Sequence, residues 1–232
     1  TSNSTRTVIT KVEGGSEGDV SVTPAVAMAL DLDDKSVARI GSGTGSLTGT
    51  GALKVEAKHT ANYNDTSAKV AAAGSSAAVG AGVAIVIVDG WGTTGEVSRN
   101  VTAGSVKILA SSDLKSAPEA SASAKGGSSS DTTAEKKADD QTANNTNTGG
   151  APITNTAKNN GSDANSSSTG KSGGKGSSGG IAASIAVDVL TVSNSAAIGS
   201  NATVTASSGA VQVSASTNVD AKARSDSTAV DL

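Results

Sequence analysis

Three carboxylates within four positions, Asp31, Asp33 and Asp34, and one imidazole, His59, are the side chains best suited by type to move protons. In an extended chain Asp31 and Asp33 share a face, the spacing of a paired acid and base for glycoside cleavage or of the first ligands of a calcium site. The plainer expectation is a solvated strand end. His59 is the only histidine, so Ser-His-Asp chemistry would have to run through it, with no G-x-S-x-G context to support that role. A histidine on a surface loop or coil face is the ordinary alternative. Trp91, in Asp89-Gly90-Trp91-Gly92, directly follows the most apolar stretch of the chain. Displayed on a turn it is a candidate ligand contact for carbohydrate or protein; folded back, it covers a strand edge.

Other motifs carry less chemistry. No D-x-[DN]-x-[DN]-G loop and no G-G-x-G-x-D nonapeptide accompanies the acidic cluster, so calcium is not implied. Gly41-Ser42-Gly43-Thr44-Gly45 lacks the G-K-[ST] ending and the following helix of a phosphate cradle and reads as turn sequence. Gly170-Lys171-Ser172 supplies that tripeptide, but Asn165 stands where a phosphate loop needs its first glycine. The expected inventory is therefore no catalytic residue, no cofactor and no metal, with Trp91 as the one candidate ligand contact.

The elements that position these residues have an unusual composition. Among 232 residues there is no Cys and no Phe, and aromatic residues make up 1% while apolar residues reach 35%. Ala, Val, Ile and Leu without aromatics fill thin spaces between close backbones. A net charge of −3 provides no basic surface for nucleic acid or anionic membrane. The longest apolar run, Ala77 to Val88, is interrupted by Gly80 and Gly82 and falls short of the roughly 20 residues of a membrane helix, so it reads as a buried strand. Absence of Cys is consistent with an exported bacterial surface protein. A start without Met or signal pattern suggests a piece of a larger polypeptide.

Internal repetition is the strongest signal. Gly51-Ala52-Leu53-Lys54-Val55-Glu56-Ala57 recurs as Gly104-Ser105-Val106-Lys107-Ile108-Leu109-Ala110, 53 positions on, and as Gly209-Ala210-Val211-Gln212-Val213-Ser214-Ala215, a further 105 on. Upstream of each lies a second shared strand, at Val26 to Leu32, Val83 to Val88 and Ile185 to Leu190. Downstream is an Ala- and Ser-rich segment at Ser67 to Ala71, Ala120 to Ala124 and Ala221 to Ser225. The doubled interval contains a polar tract rich in Gly, Ser, Asn and Thr. The expected organisation is repeats 1 and 2 over 1–126, a low-complexity polar insertion over 127–179 and repeat 3 over 180–232. Such an insertion cannot offset its ordering entropy and is expected to be a disordered or weakly ordered loop, with a dedicated binding loop as the alternative.

Within the septets, apolar residues two apart flank Lys54, Lys107 and Gln212, the period of a strand with one buried face. No apolar stripe at helical spacing persists. Strands stacked on their equivalents in the next repeat fit an all-β chain, a right-handed parallel β-helix (β-solenoid) with inward ladders of Val, Ile, Leu and Ala; a β-sandwich is the alternative. A 53-residue unit is expected to hold two or more rungs, with the septet glycine at a corner. Pro24, Pro118 and Pro152 all fall outside the expected central strands.

The run Ser184 to Val189, then Ala197-Ile198-Gly199-Ser200-Asn201-Ala202-Thr203-Val204-Thr205-Ala206, then Gly209 to Ala215 resembles the repeats of leukotoxin-type filamentous adhesins, giant bacterial surface and secreted proteins. The first two units match in Val26 to Leu32 with Gly51 to Ala57, and in Val79 to Val88 with Gly104 to Ala110. They depart from the pattern at the Ala197-Ile198-Gly199 corner. The resemblance implies a β-solenoid stalk, extracellular or on the bacterial cell surface, non-catalytic and adhesive. Its partners would be a host or neighbouring-cell surface or a glycan, without nucleic acid or membrane insertion, and with self-association through solenoid ends. A carbohydrate-active or carbohydrate-binding β-helix protein is the alternative.

Overall fold

The computed structural model describes residues 1–126 and 179–230, and among them the chain is all-β without a helix. Strand β1 spans Ser2–Leu32, β2 Lys35–Ile40, β3 Leu47–Thr48 and β4 Ala52–Val97. They are followed by β5 (Val101–Ala103), β6 (Ser105–Ser116), β7 (Glu119–Gly126), β8 (Gly179–Ile198), β9 (Val204–Ala206), β10 (Val211–Ala221) and β11 (Arg224–Val230). Every described strand pair is parallel. A β-sandwich of the usual kind would require antiparallel pairs.

β4 is the centre of the sheet. β1 and β2 pair along one of its edges and β6, β7 and β8 along the other, while β10 extends β6 and β11 extends β7. Strands β3, β5 and β9 form a small separate sheet. The septets are in register, with Leu53 opposite Val106 and Val106 opposite Val211. So are the second strands, with Val26 opposite Val83 and Val83 opposite Ile185. The Ala- and Ser-rich segments meet one residue out of step in the first two copies, where Ala68 faces Ala120, and four out of step in the third, where Ser225 faces Ala120 and Ala221 faces Ser116.

The expectation of two or more rungs per repeat is overturned. Every described pair joins one repeat to a neighbouring one, and none joins two halves of one repeat. One repeat is therefore one rung. Its strand runs out over about 20 residues and returns, and the sheet curls so that outgoing and returning halves face each other.

Three apolar clusters fill the space between these halves. Ala68, Val70 and Ala72 meet Ala78 and Ala84; Ala61 and Tyr63 meet Val86, Val88 and Trp91; Val55 and Ala57 meet Val97, Val101 and Ala103. The interior is thin, as the composition predicts. A Cβ on Gly80 would lie 2.6 Å from the Ser123 carbonyl oxygen, one on Gly82 2.8 Å from that of Ser121, and one on Gly95 2.7 Å from that of Leu109. Only hydrogen fits at these three positions, because the opposing backbone is already at contact distance.

Thinness also decides which face the large residues take. In β1 the inward positions are Ser21, Thr23, Ala25, Ala27, Ala29 and Asp31, whereas Val22, Val26, Met28, Leu30 and Leu32 point outward and are exposed. Of the inward ladders expected of Val, Ile, Leu and Ala, β1 supplies chiefly the Ala, at Ala25, Ala27 and Ala29, with Ser21 and Thr23 beside them. The first two septet strands keep the expected orientation, with Val55, Val106 and Ile108 buried, whereas Val211 and Val213 of the third are exposed. Pro24 lies inside β1, opposite Ala81 of β4, the one strand that β1 pairs with among the described strands. The corner after β1 places Asp33 at φ 59°, and the equivalent corner of the next rung places Gly90 at φ 69°. Asp is among the few side chains that tolerate this left-handed region.

The insertion expected over 127–179 lies outside the described residues except for its last position, Gly179, which opens β8. Gly126 pairs with Gly74 and Gly179 with Ala77, so the excursion leaves and re-enters where the preceding rung has only Ser75-Ser76.

Filling the thin interior is expected to be costly. Gly80→Val or Gly95→Val should lower the urea midpoint by an amount equivalent to about 1–3 kcal/mol, whereas Thr60→Val, on an exposed outward position, should stay within about 0.5 kcal/mol of wild type.

Candidate functional site

The structure gathers most of the chemically capable residues at one place inside the curled sheet. Asp31 ends the inward face of β1, and Asp34 follows the left-handed corner. His59 and Tyr63 are inward residues of the outgoing half of β4, and Trp91 and Thr93 are inward residues of its returning half. Arg6, on β1 opposite Ala61, reaches in from the outermost described rung.

Asp31 is buried and accepts hydrogen bonds from two donors, Arg6 Nη1 at 2.7 Å and the Tyr63 hydroxyl. Burial, reinforced by the Asp31 hydrogen bond and charge, holds the Tyr63 phenol well above its usual range, so it remains a donor. Asp34 Oδ2 lies 3.2 Å from Arg6 Nε and 3.3 Å from His59 Nε2, close to both without a hydrogen bond to either. The other imidazole nitrogen, Nδ1, is 3.3 Å from the Gly92 carbonyl oxygen. The His59 ring stacks on the Trp91 indole with centroids 4.1 Å apart and an interplanar angle of 25°. The group is a knot: one guanidinium lies against two carboxylates, Asp31 is also hydrogen-bonded to a phenol, and an aromatic stack caps the whole.

These positions correct several expectations. Trp91 is fully buried and is not an aromatic displayed on a turn, which withdraws it as a ligand contact. His59 is equally buried and not a surface histidine. Asp31 and Asp33 do not share a face, because the chain leaves the strand after Leu32 and the φ 59° corner turns Asp33 outward, where it pairs with Lys35. Asp34 takes the place beside Asp31 that strand spacing assigns to Asp33. Neither Tyr63 nor Arg6 is singled out by any motif. The signal available was that Tyr63 is the only tyrosine and lies two strand steps from His59 on the same face.

A second, half-buried carboxylate lies two rungs away. Ser116 Oγ donates to Asp188 Oδ1 at 2.8 Å, while Asp188 Oδ2 has no partner among the described residues. Burial outweighs this bond and pushes the Asp188 carboxyl up to about 6. Nearby, Asn194 Nδ2 crosses the interior to Ser112 Oγ, the Ser216 carbonyl oxygen and Thr217 Oγ1. Among the described residues no group of three or more His, Cys, Asp or Glu side chains is arranged to hold a metal ion.

No family profile, curated protein or solved structure matches the chain.

The knot should matter for stability in proportion to burial. Trp91→Ala should cost about 3–5 kcal/mol and Tyr63→Phe, which leaves buried Asp31 short of a donor, about 1–3 kcal/mol, while Asp33→Asn should change little; urea denaturation of the three variants measures this. A separate expectation concerns acid. The Asp188 carboxyl stands above its ordinary 3.8 in the folded chain, so the native state holds this proton more tightly than the unfolded one. The resulting stabilisation is complete below 3.8 and is lost as pH rises through about 6. The difference in urea midpoint between wild type and Asp188→Asn, followed from roughly pH 3.5 to 7, should therefore shift against wild type as pH increases.

Proposed function

We propose that this chain is a segment of a right-handed parallel β-helix, serving as a non-catalytic stalk of a large bacterial extracellular adhesin. The observation that carries the reading is β4. This one strand is paired in parallel along most of both edges by the preceding and following repeats. A structure in which every repeat contacts only its neighbours gains stability by summing many small interfaces, which suits a rod that must span distance and bear load. The resemblance of the repeat sequences to leukotoxin-type filamentous adhesins supports the extracellular setting and the adhesive role, with a cell surface or glycan as the partner.

The carbohydrate-active alternative draws no support from the geometry. It needs a reachable acid and base, whereas Asp31 and His59 are buried and committed to Arg6, Tyr63 and Trp91, and Asp33 stands apart from them.

Joining two copies of the chain head to tail should test the stalk directly. The particle is expected to lengthen along the stacking axis by about 4.8 Å per added rung at constant cross-section in small-angle scattering; two separate globules, or growth in cross-section, would overturn the reading. On a panel of acidic polysaccharides no turnover is expected, and turnover abolished by Asp33→Ala would replace the stalk with an enzyme.

A further inference from the structure

The outer surface of the curled sheet has two unlike sides. Over the outgoing half, outward positions carry polar and charged residues, among them Lys54, Glu56, Lys58, Thr60, Asn62 and Lys69. Over the returning half they are apolar on three successive rungs. Val26 lies beside Val83 and Val83 beside Ile185; Leu30 lies beside Ile87 and Ile87 beside Val189. On the outer two of these rungs the side chains are strongly exposed, Val26 at 59% and Ile185 at 45%. The only charged residues within 20–32, 77–88 and 180–190 are Asp31 and Asp188, and each is tied inward, to Tyr63 and to Ser116 respectively.

We propose that this apolar outer face is a docking surface for a second copy of the same chain, packed sheet on sheet. Three strands about 4.8 Å apart and about 12 residues long, at about 3.3 Å per residue, make a face of roughly 550 Å². Two such faces in contact bury about 1,100 Å², above the roughly 1,000 Å² that a specific interface should clear. A patch of about this size stands at the upper end of what monomers expose, where such patches are often functional. The face carries no outward charge, so it is electrostatically complementary to itself, and a two-fold axis brings the same patch onto both subunits. Two twisted sheets meeting in this way pack about 10 Å apart with their strands within about 30°. The polar excursion of this chain does not supply an alternative cover, because Ile153 is its only large apolar residue. The polar opposite side argues that the apolar one is selected and is not a by-product of strand composition, since both halves belong to the same strand, β4.

This association is lateral and so differs from joining through the open ends of the stack, which pairs backbone edges. Sedimentation equilibrium of the full chain should give a dimer. Val83→Lys with Ile185→Lys, in the middle row of the face, should weaken dimerisation by about tenfold or more, with unchanged far-ultraviolet dichroism, whereas Thr60→Lys on the polar side should leave it intact. Should the double variant lose its fold, a cysteine reports instead. The chain has none of its own, so Val83→Cys should form a disulfide-linked dimer on mild oxidation and Thr60→Cys should not. A monomer at all concentrations would overturn the proposal, as would a dimer that survives both lysines in a folded chain. Flotation of a monomeric wild-type chain with phosphatidylcholine vesicles would reassign the face to lipid.

Discussion

The distance between the two facing halves of each rung is the constraint on which the rest of the structure depends. Backbone carbonyls of Ser121, Ser123 and Leu109 stand where Cβ atoms of Gly82, Gly80 and Gly95 would go. With no room there for a second layer of large side chains, the inward positions around these carbonyls are Ala78, Gly80, Gly82 and Ala84, while Val86, Val88 and Val97 fill wider parts of the interior. Close approach compensates for small size, since dispersion depends on the number of atoms at contact distance and not on the bulk of any one side chain. An almost aromatic-free chain can therefore have a well-filled interior.

Where the interior widens, it does so for the few large polar and aromatic residues. Trp91, His59 and Tyr63 occupy neighbouring inward positions of β4, and the adjacent rung answers with Asp31, Asp34 and Arg6. Burying charge in a low-dielectric space is costly unless it is paired and hydrogen-bonded. Asp31 meets that requirement through two donors. The knot fixes which rung faces which, because a slip of one residue would send these side chains to the outer face. Asp188, with one oxygen bonded to Ser116 and the other unpartnered among the described residues, meets the requirement only in part, and protonation completes it. The same thinness favours Ala on the inward side of β1 and leaves its Val22, Val26, Met28 and Leu30 on the outer face.

Much of this arrangement was legible beforehand, and the failures have physical causes. Register was readable from the septets because their Gly-led alternation repeats, and Leu53, Val106 and Val211 do stack. The third Ala- and Ser-rich segment was misaligned because such residues carry too little side-chain individuality to mark register. Rung count failed because repeat length alone does not say whether a chain closes a turn in short strands or in two long ones. Period-two alternation in Val20 to Leu32 says that the two faces differ but not which one is inside; hydrophobicity points to Val and Leu, and steric room chose Ala.

The sequence by itself determined that the chain is β, that its repeats pair with one another, and that Asp31, His59 and Trp91 are its distinctive side chains, because periodicity and residue type are local properties. Only the tertiary structure decided that Trp91 and His59 are stacked inside, that Asp34 and not Asp33 joins Asp31, and that Val22, Val26, Met28, Leu30 and Leu32 of β1 face outward. Each of these depends on the separation of backbones far apart in sequence and on one left-handed corner at Asp33. Such distances and dihedral angles are set by the whole packed assembly, and no short stretch of sequence contains them.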